Sequence, residues 1–363
     1  MLTLLIAFAV SMGVTLWMVR RAKVEDHRFY DHDMTGPQKF HSAPVPRVGG
    51  IGIVVGVFAG MLMIWLRSPE LGRSAGLLLL CAIPAFGSGL TEDLTKTQSP
   101  RRRLFFIAVS AALAVVVLDS AIGRTDIPGL DWVVSFSLGA AVVTIFVVAG
   151  VANSLNIIDG FNGLASMCAM LMLASIGYVG FQVGDDLIVA LAVVGAGAVL
   201  GFFVWNFPSG LIFLGDGGAY FLGFYVAELA ILLLYRNPSV SPMFPLLVCI
   251  YPVFETLFSI YRRKMLRGQP AGMPDGIHLH SLIYRRIMRW AVGNASKRSQ
   301  AKRNSMTSPY LWMLCMLAVV PAMLFWDSTP WLLVFIVLFG VVYTGLYWRI
   351  VRFKAPRWMI TKR

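Results

Sequence analysis

Charged residues are scarce in this sequence: they make up 13% of its 363 residues, whereas 58% are apolar. Soluble domains carry about a quarter charged residues and close to half apolar ones, so a soluble enzyme and a disordered chain are both excluded. Cysteine is scarce too, with four residues that all lie in apolar runs and never in a C-x-x-C spacing. A disulfide scaffold and a zinc ribbon are therefore excluded, and the thiols are interpreted as buried apolar side chains.

Long apolar runs are abundant instead. A transmembrane helix needs about 20 consecutive apolar residues, and the predicted fold class is an all-α polytopic membrane protein with about 11 transmembrane helices. The first run is followed rather than preceded by basic residues, so it is interpreted as a retained helix and not as a signal peptide. The runs lie at 2–19, 49–66, 74–91, 104–119, 135–152, 161–180, 187–205, 218–235, 242–261, 308–326 and 330–348.

The domain organisation follows from these runs. We predict a single transmembrane unit over residues 1–348, which includes a polar loop at 262–307, and a basic tail at 349–363. Within the loop, the stretch 294–308 is expected to be flexible and to carry no chemistry.

Basic residues outnumber acidic ones, 31 to 18. Of the Lys and Arg residues, 27 fall on the segments that share one side of an eleven-helix arrangement and 4 on the other side, whereas acidic residues divide nearly evenly. Because cytoplasmic loops carry the excess of Lys and Arg, we expect the N-terminus outside and the C-terminus in the cytoplasm. The charge is thus a topology signal with attraction to anionic membrane lipids, and no nucleic acid is expected as a partner.

Two cytoplasmic segments gather polar side chains that topology does not require. The segment KFHSAPVPRVGG offers Lys39, His41 and Arg47 to a phosphate, although an interfacial basic loop would have the same composition. The segment GLTEDLTK places Glu92 next to Asp93 at the end of the third run. Adjacent carboxylates repel each other unless a cation or water is near; the alternative interpretation is an exposed helix end.

Two further segments are expected on the cytoplasmic side, yet they contain no Lys or Arg. In NSLNIIDGFNGLA, three-residue spacing puts Asn153 and Asn156 on one helical face, with Asp159 part of a turn further round. Amides and a carboxylate between membrane helices are costly unless they bind something. In NFPSGLIFLGDGG, glycines flank Asp216 and leave room for a bulky ligand, although Gly-Asp-Gly is also common in turns.

Four carboxylates are therefore expected at cytoplasmic helix ends: Glu92, Asp93, Asp159 and Asp216. Hard oxygen ligands without a histidine or thiolate beside them suit Mg²⁺. Because Mg²⁺ keeps several waters and takes one or two carboxylates plus substrate phosphates, not all four are expected to be ligands.

The last polar segment, PDGIHLHSLIYRR, contains His278 and His280. A zinc site would need a third ligand, so contacts with phosphate or sugar are favoured. Glu255, in the ninth run, is expected to pair with a basic group of this loop. Glu228, in the eighth run, has no partner that the sequence identifies.

Taken in order, five segments resemble the polyprenyl-phosphate N-acetylhexosamine-1-phosphate transferases of glycosyltransferase family 4. They span residues 39–286, about two thirds of the chain, and the ordered set is specific although no single motif is. The segments are KFHSAPVPRVGG, GLTEDLTK, NSLNIIDGFNGLA, NFPSGLIFLGDGGAYFLG and PDGIHLHSLIYRR.

The resemblance implies an enzyme that transfers a sugar-1-phosphate, of N-acetylhexosamine type, from a UDP-sugar to undecaprenyl phosphate and releases UMP. It implies Mg²⁺ as the cofactor, with Mn²⁺ as a substitute, and a product that starts a cell-envelope glycan. It also implies a bacterial inner-membrane protein with a periplasmic N-terminus and an active site that faces the cytoplasm. A homodimer is compatible with the family.

The resemblance distributes roles among individual residues. Asp93 matches the second member of an acidic pair near the lipid phosphate, and Glu92 stands where the family commonly has aspartate. The implied metal ligand is Asp216, and the implied catalytic residues are Glu92, Asp93 and Asp159. The implied substrate-binding residues are Lys39, His41, Asn153, Asn156, Asn162, His278 and His280.

Three alternatives remain open at this point. Within the family, the alternative is a phospho-N-acetylmuramoyl-pentapeptide transferase of peptidoglycan synthesis. Outside it, a membrane transporter or lipid-binding protein also uses intramembrane acids and broken helices, but a carrier is expected to place them near the bilayer midplane. An inactive scaffold is disfavoured by the acidic set.

Overall fold

The computed structural model of the chain describes residues 1–24, 45–266, 268, 276–288 and 297–352. Over these residues the protein is all-α, as predicted, whereas the predicted site residues Lys39 and His41 lie outside them. The helices are α1 (Leu2–Val24), α2 (Gly49–Arg67), α3 (Pro69–Thr95), α4 (Pro100–Val117), α5 (Leu130–Val134), α6 (Ser137–Ile158), α7 (Leu164–Gln182), α8 (Asp186–Asn206), α9 (Gly215–Arg236), α10 (Met243–Val248), α11 (Ile250–Tyr261), α12 (Leu279–Leu282), α13 (Lys297–Leu324) and α14 (Thr329–Val351), with wider π-type turns at Arg262–Leu266 and Ile283–Met288.

The predicted membrane-spanning runs are all helical in the part of the chain that the structure describes. Nine of the described helices are long and apolar enough to cross a bilayer. The other two predicted runs are α4, which has 18 residues and three arginines near its start, and the α10–α11 pair, which is two short helices. The protein is a polytopic membrane protein, and the count of eleven crossings stays a prediction.

The break between α10 and α11 has a local cause. Pro252 lacks an N–H group and cannot donate to the carbonyl of Val248, four residues earlier. The helix α10 ends at Val248, and Cys249 has non-helical backbone angles before α11 begins. The ninth run is therefore interrupted where its own sequence removes a hydrogen bond.

The helix α9 forms the centre of the bundle. Its residues from Gly215 to Leu234 are all buried, and α2, α3, α6 and α7 pack around it. Small residues allow close approach, since a Cβ atom on Gly223 would collide with the backbone of Ala152 on α6. The rigid core therefore supports the residues at the start of α9.

The prediction of a flexible basic loop at 294–308 is wrong for the part that the structure describes, because α13 already begins at Lys297. Arg303, Asn304 and Ser308 are buried there. The Asn304 Oδ1 atom accepts the backbone N–H of Asn162 at 2.9 Å, and the Ser308 hydroxyl donates to the Asn162 carbonyl at 2.6 Å. Polar residues four apart share one helical face, so this face is used for packing rather than for solvation.

Candidate active site

Five helix ends meet at one end of the bundle: the starts of α2, α4 and α9 and the ends of α3 and α6. A short backbone ladder joins the approach to α2 with the approach to α9. The Phe213 N–H donates to the Pro46 carbonyl at 2.8 Å, and the N–H groups of Gly49 and Gly50 donate to the carbonyls of Phe213 and Leu214, each at 2.9 Å. These bonds fix the loop before α9 against the start of α2.

Close backbone contact also joins α3 to α9. A Cβ atom on Gly89 would lie 2.5 Å from the backbone nitrogen of Gly217, so only glycine allows this approach. The end of α3 is thereby held against the first turn of α9, which brings Asp93 to Asp216.

Asp93 caps the start of α9. Its carboxylate oxygens accept the backbone N–H groups of Asp216 and Gly217, each at 2.9 Å, and its side chain is 1% exposed. The first N–H groups of a helix have no partner within the helix, and the helix dipole favours a negative charge there. Asp93 therefore holds the backbone that carries Asp216, and its implied place near the lipid phosphate stays a prediction.

The Asp216 carboxylate receives donors from three other elements. Its Oδ1 atom accepts Asn156 Nδ2 at 3.0 Å and an Arg47 guanidinium nitrogen at 3.3 Å. Its Oδ2 atom accepts Arg103 from α4. Arg47 also lies 4.0 Å from the Asp93 carboxylate. The predicted metal ligand is thus at the centre of the cluster, surrounded by two guanidinium groups and an amide.

Asp159 ends α6 next to this cluster. Burial raises the pKa of its carboxyl group from 3.8 to about 7, while the Arg47 charge lowers that pKa and the Asp216 charge raises it. Asp159 thus interacts electrostatically with both residues. Close to neutral pH the carboxyl group can therefore hold or release a proton, as expected for a catalytic acid or base. Asn153, one turn before Asn156 on α6, is half-buried at the same end.

Glu92 and Asp93 have different partners, although they are adjacent on α3. The Glu92 carboxylate accepts the backbone N–H of Gln98 at 2.7 Å, which fixes the turn between α3 and α4. Successive residues on a helix point about 100° apart. Glu92 is therefore in contact with the connecting turn, and Asp93 with the core of the cluster.

Asn162, a predicted substrate-binding residue, makes contacts within the protein. Its side-chain amide donates to the Pro208 carbonyl at 3.1 Å, in addition to the backbone bonds that it makes with α13. It is 6% exposed. In this arrangement Asn162 joins three segments beside the site.

The histidine segment lies against the Asp159 segment. The rings of His278 and His280 are stacked, with centroids 5.1 Å apart and planes 15° apart. The His280 ring contacts Phe161 at a centroid distance of 5.5 Å, and a Cβ atom on Gly160 would lie 3.6 Å from His280 Nε2. The two histidines are thus neighbours of the turn that follows Asp159, and their predicted role in binding substrate stays a prediction.

The sequence predicted that Glu255 pairs with a basic group of the histidine segment, and in the structure this group is His278. The Glu255 Oε1 atom lies 3.0 Å from His278 Nδ1 and accepts the backbone N–H of Leu279 at 3.0 Å. Glu228 has a different environment. It is fully buried in α9, and its carboxylate accepts the hydroxyl of Ser120.

Arg103 contacts Asp216, although the sequence motifs do not single it out. In the sequence it is one of many basic residues on the predicted cytoplasmic side. The available signal was its position, because Arg101, Arg102 and Arg103 lie in the first turn of α4, where the helix dipole disfavours positive charge. Such a placement is favourable when carboxylates lie opposite, and Asp216 supplies one.

The cluster combines Asp93, Asp159 and Asp216 with Arg47 and Arg103. In the part of the chain that the structure describes, no group of three or more His, Cys, Asp or Glu side chains could hold a metal ion by itself. A cation at this site would need further oxygen ligands from a substrate. The arginines are suited to phosphate, because a guanidinium group can donate two parallel hydrogen bonds.

The fold and the site define an integral membrane protein. At one end of its helices it has a polar cluster whose arginines are suited to phosphate. Residues 75–234, from α3 to α9, match the sequence model of glycosyl transferase family 4. This range contains Asp93, Asp159 and Asp216. Arg47 and the two histidines lie outside it.

Relatives of known description agree with this match. A probable undecaprenyl-phosphate N-acetylglucosaminyl 1-phosphate transferase of Bacillus subtilis is 27% identical over 94% of this chain and 90% of its own length. An undecaprenyl-phosphate alpha-N-acetylglucosaminyl 1-phosphate transferase of Thermotoga maritima is 26% identical over 71% of this chain and 74% of its own. A phospho-N-acetylmuramoyl-pentapeptide-transferase of Clostridium botulinum is 29% identical over 70% and 78%.

The chain is thus similar to glycosyl transferase family 4 from α3 to α9, and to polyprenyl-phosphate sugar-1-phosphate transferases over most of its length. It is a membrane-embedded phosphotransferase of the polyprenyl-phosphate sugar-1-phosphate type, as the sequence predicted.

Proposed function

We propose that this protein transfers N-acetylhexosamine-1-phosphate, with N-acetylglucosamine as the leading candidate, from a UDP-sugar to undecaprenyl phosphate. UMP is released, and the lipid-linked sugar starts a cell-envelope glycan. The observation that carries the proposal is the convergence of Arg47, Arg103, Asp159 and Asp216 at one end of the apolar bundle. A soluble nucleotide-sugar and a lipid phosphate can meet there.

The reaction is placed on the cytoplasmic face of a bacterial inner membrane. Support comes from the bacterial relatives and from the 27 basic residues on the predicted cytoplasmic side. The same end of the bundle holds Arg47, Arg103 and the histidine segment. A transporter is disfavoured, because the acidic cluster lies at helix ends and not at the middle of α9.

The residues fit Mg²⁺ as a cofactor that is shared with substrate. Asp216 and Asp159 supply hard oxygens at adjacent helix ends, and Mg²⁺ takes one or two carboxylates plus substrate phosphates. Asp216 would hold the ion with Asp159 beside it, and Mn²⁺ is the expected substitute. Bound there, the ion would neutralise charge on the donor's pyrophosphate.

The arginines have a role that follows from their present partners. Arg47 and Arg103 bind Asp216 in the structure. Incoming phosphates offer them the same acceptor geometry with more charge, so the guanidinium groups exchange from Asp216 to the donor pyrophosphate. This exchange also frees carboxylate oxygens of Asp216.

The transfer is a direct in-line displacement. An oxygen of the polyprenyl phosphate forms a bond to the sugar-linked phosphorus, and the bond from that phosphorus to the UMP oxygen breaks, with the electron pair leaving on UMP. Since phosphate monoesters have a second pKa near 6, most of the acceptor is already a dianion at neutral pH. Asp159 takes the remaining proton from the acceptor.

The test uses the purified full-length protein with undecaprenyl phosphate, Mg²⁺ and one UDP-sugar at a time. Mass spectrometry identifies the lipid product, and a coupled assay measures UMP. We expect product with UDP-N-acetylglucosamine and none without Mg²⁺. The variant Asp216→Asn should lose UMP release but insert normally in the membrane.

The matched control is Glu228→Gln. Glu228 is a buried carboxyl on the same helix, three turns from Asp216, and its oxygen can still accept the Ser120 hydroxyl as an amide. We expect this variant to keep its activity. Absence of lipid product with every UDP-sugar would overturn the proposal, and full activity of Asp216→Asn would overturn the metal assignment.

A second nucleotide-sugar is a candidate donor because a second group of relatives is similar to the chain. Relatives named phospho-N-acetylmuramoyl-pentapeptide-transferase are 29% identical to the chain. UDP-N-acetylmuramoyl-pentapeptide therefore belongs in the panel of donors. Product with this donor alone would identify the peptidoglycan branch instead.

A further inference from the structure

A buried glutamate that the reaction scheme leaves unused lies beneath the histidine pair. Glu255 is on α11, next to the break at Cys249, and is 1% exposed. Carboxylates are rarely buried in a membrane helix unless they have a partner or a function. Its role deepens the proposed function and rests on it.

One oxygen of Glu255 fixes both the ring and the backbone of the histidine segment. Glu255 Oε1 lies 3.0 Å from His278 Nδ1 and 3.0 Å from the backbone nitrogen of Leu279. The ring therefore cannot rotate without breaking a bond in a buried place, where an unsatisfied charged group is costly. The contact spans 23 residues of sequence and joins α11 to α12.

Glu255 also decides which nitrogen of the His278 ring carries the proton. An ionised carboxylate only accepts, so Nδ1 of His278 must donate. In neutral imidazole the Nε2 atom is then the acceptor, and in imidazolium it becomes a second donor. In both forms Glu255 occupies Nδ1, so Nε2, at the opposite edge of the ring, is the nitrogen with which His278 can meet a substrate.

The position of the pair makes a phosphate of the donor the suitable group. His278 stacks on His280, and His280 lies against Phe161 and Gly160, directly after Asp159. The Glu255 carboxylate lies behind His278, and an imidazolium ring held in this way donates Nε2–H to a negative phosphate oxygen. The other titratable groups that face Glu255 are His280, the phenols of Tyr251 and Tyr343, and through Tyr343 the Arg262 guanidinium.

We propose that Glu255 is a positioning residue, which holds His278 with Nδ1–H toward its own carboxylate so that Nε2 contacts the pyrophosphate of the UDP-sugar. Glu255 itself does not touch the substrate. A purely structural Glu255 would anchor Leu279 equally well but would not control the His278 ring.

The first experiment uses NMR to measure the protonation of the His278 ring nitrogens directly. The protein is labelled with ¹⁵N-histidine in nanodiscs, and the His278 resonances are identified by their loss in His278→Gln. We expect the Nδ1 atom to be protonated and the Nε2 resonance to move when UDP-N-acetylglucosamine is added. In Glu255→Gln the charge is lost while the shape is kept, so the His278 shifts should change. In Glu228→Gln, the control, they should not.

The second experiment is kinetic. Partners that orient a functional histidine typically contribute about 10- to 100-fold, so kcat of Glu255→Gln should fall by roughly that factor. Glu255→Asp should recover part of the loss. The double variant with His278→Gln should be no slower than His278→Gln alone, since the two residues act as a unit.

Two results would overturn the proposal: an Nε2–H tautomer of His278 in the parent protein, or unchanged shifts and kcat in Glu255→Gln. The nitrogen spectrum of the parent does not depend on any variant folding. If the parent uses no UDP-sugar but its Nε2 resonance still moves on adding the nucleotide-sugar, the proposed transfer fails and the role of Glu255 stands. If neither turnover nor movement is seen, both fail.

Discussion

The contact between Asp93 and the start of α9 can be tested with the variant Asp93→Asn. The side chain keeps its shape but has one acceptor oxygen instead of two. The amide NH₂ group would face a backbone N–H of Asp216 or Gly217, where two donors meet without an acceptor. The first turn of α9 must then shift, and the Asp216 side chain shifts with it.

The size of the effect follows from the groups involved. A hydrogen bond to a charged group contributes about 1.5–3 kcal/mol, and a negative charge at a helix N-terminus up to about 2 kcal/mol when it is partly buried. A combined loss of about 3 kcal/mol is expected, because the two contributions overlap. If the loss appears in the transition state, kcat/KM falls roughly 100-fold.

The assay must separate a positioning residue from a general base. We expect Asp93→Asn to lower both the melting temperature in detergent and the rate of UMP release, and neither should recover at higher pH. A base acting on the lipid phosphate would behave differently, because that phosphate ionises by itself above pH 7. A variant with unchanged melting temperature, whose rate recovers at pH 8.5, would refute the capping role.

Three further predictions rest on the same geometry. Arg103→Lys keeps the charge but loses the fork that reaches Asp216, so kcat/KM should fall about 10-fold or more with little change in stability; equal kinetics would remove Arg103 from the site. Asp159→Asn should slow transfer but raise the melting temperature in EDTA at pH 8. The pKa of the Asp159 carboxyl group rises from 3.8 to about 7 on folding. Its ionisation therefore lowers the stability of the folded protein by at most about 4 kcal/mol above pH 7, and by nothing below pH 3.8. A difference in melting temperature that persists at pH 4 would contradict this reasoning. Asn304→Ala leaves the backbone N–H of Asn162 without an acceptor, so thermal stability should fall by about 1–3 kcal/mol, whereas Asn304→Asp should restore the acceptor and the stability.

The sequence predicted the helical runs well because hydropathy depends on the bilayer and not on the neighbours of a helix. It also predicted that Asn156, Asp159 and Asp216 share a site, since each follows or precedes a run on the same side. Alternation along the chain places such ends on one face of the membrane, and the packing of α6 on α9 then brings Asn156 to Asp216. These predictions needed no knowledge of packing.

Other features depend on how the helices are rotated, which a single sequence does not specify. Glu92 and Asp93 are equivalent as sequence neighbours, and only the contact between Gly89 and Gly217 decides that Asp93 faces α9. The role of Arg103 was hidden because the cytoplasmic excess of basic residues already explained it. The start of α13 was misjudged because its polar residues contact Asn162 and Tyr284 rather than water.

The arrangement explains why the acidic set contains more carboxylates than one metal ion needs. Asp93 is used to hold the backbone of α9, Asp159 is tuned by burial to titrate near neutrality, and Asp216 accepts Asn156, Arg47 and Arg103. Each role requires a different environment, and those environments come from different helices. A substitution at any of the three therefore removes a different function, so Asp93→Asn should lower stability, Asp159→Asn should raise it, and Asp216→Asn should leave two arginines facing each other without their shared carboxylate.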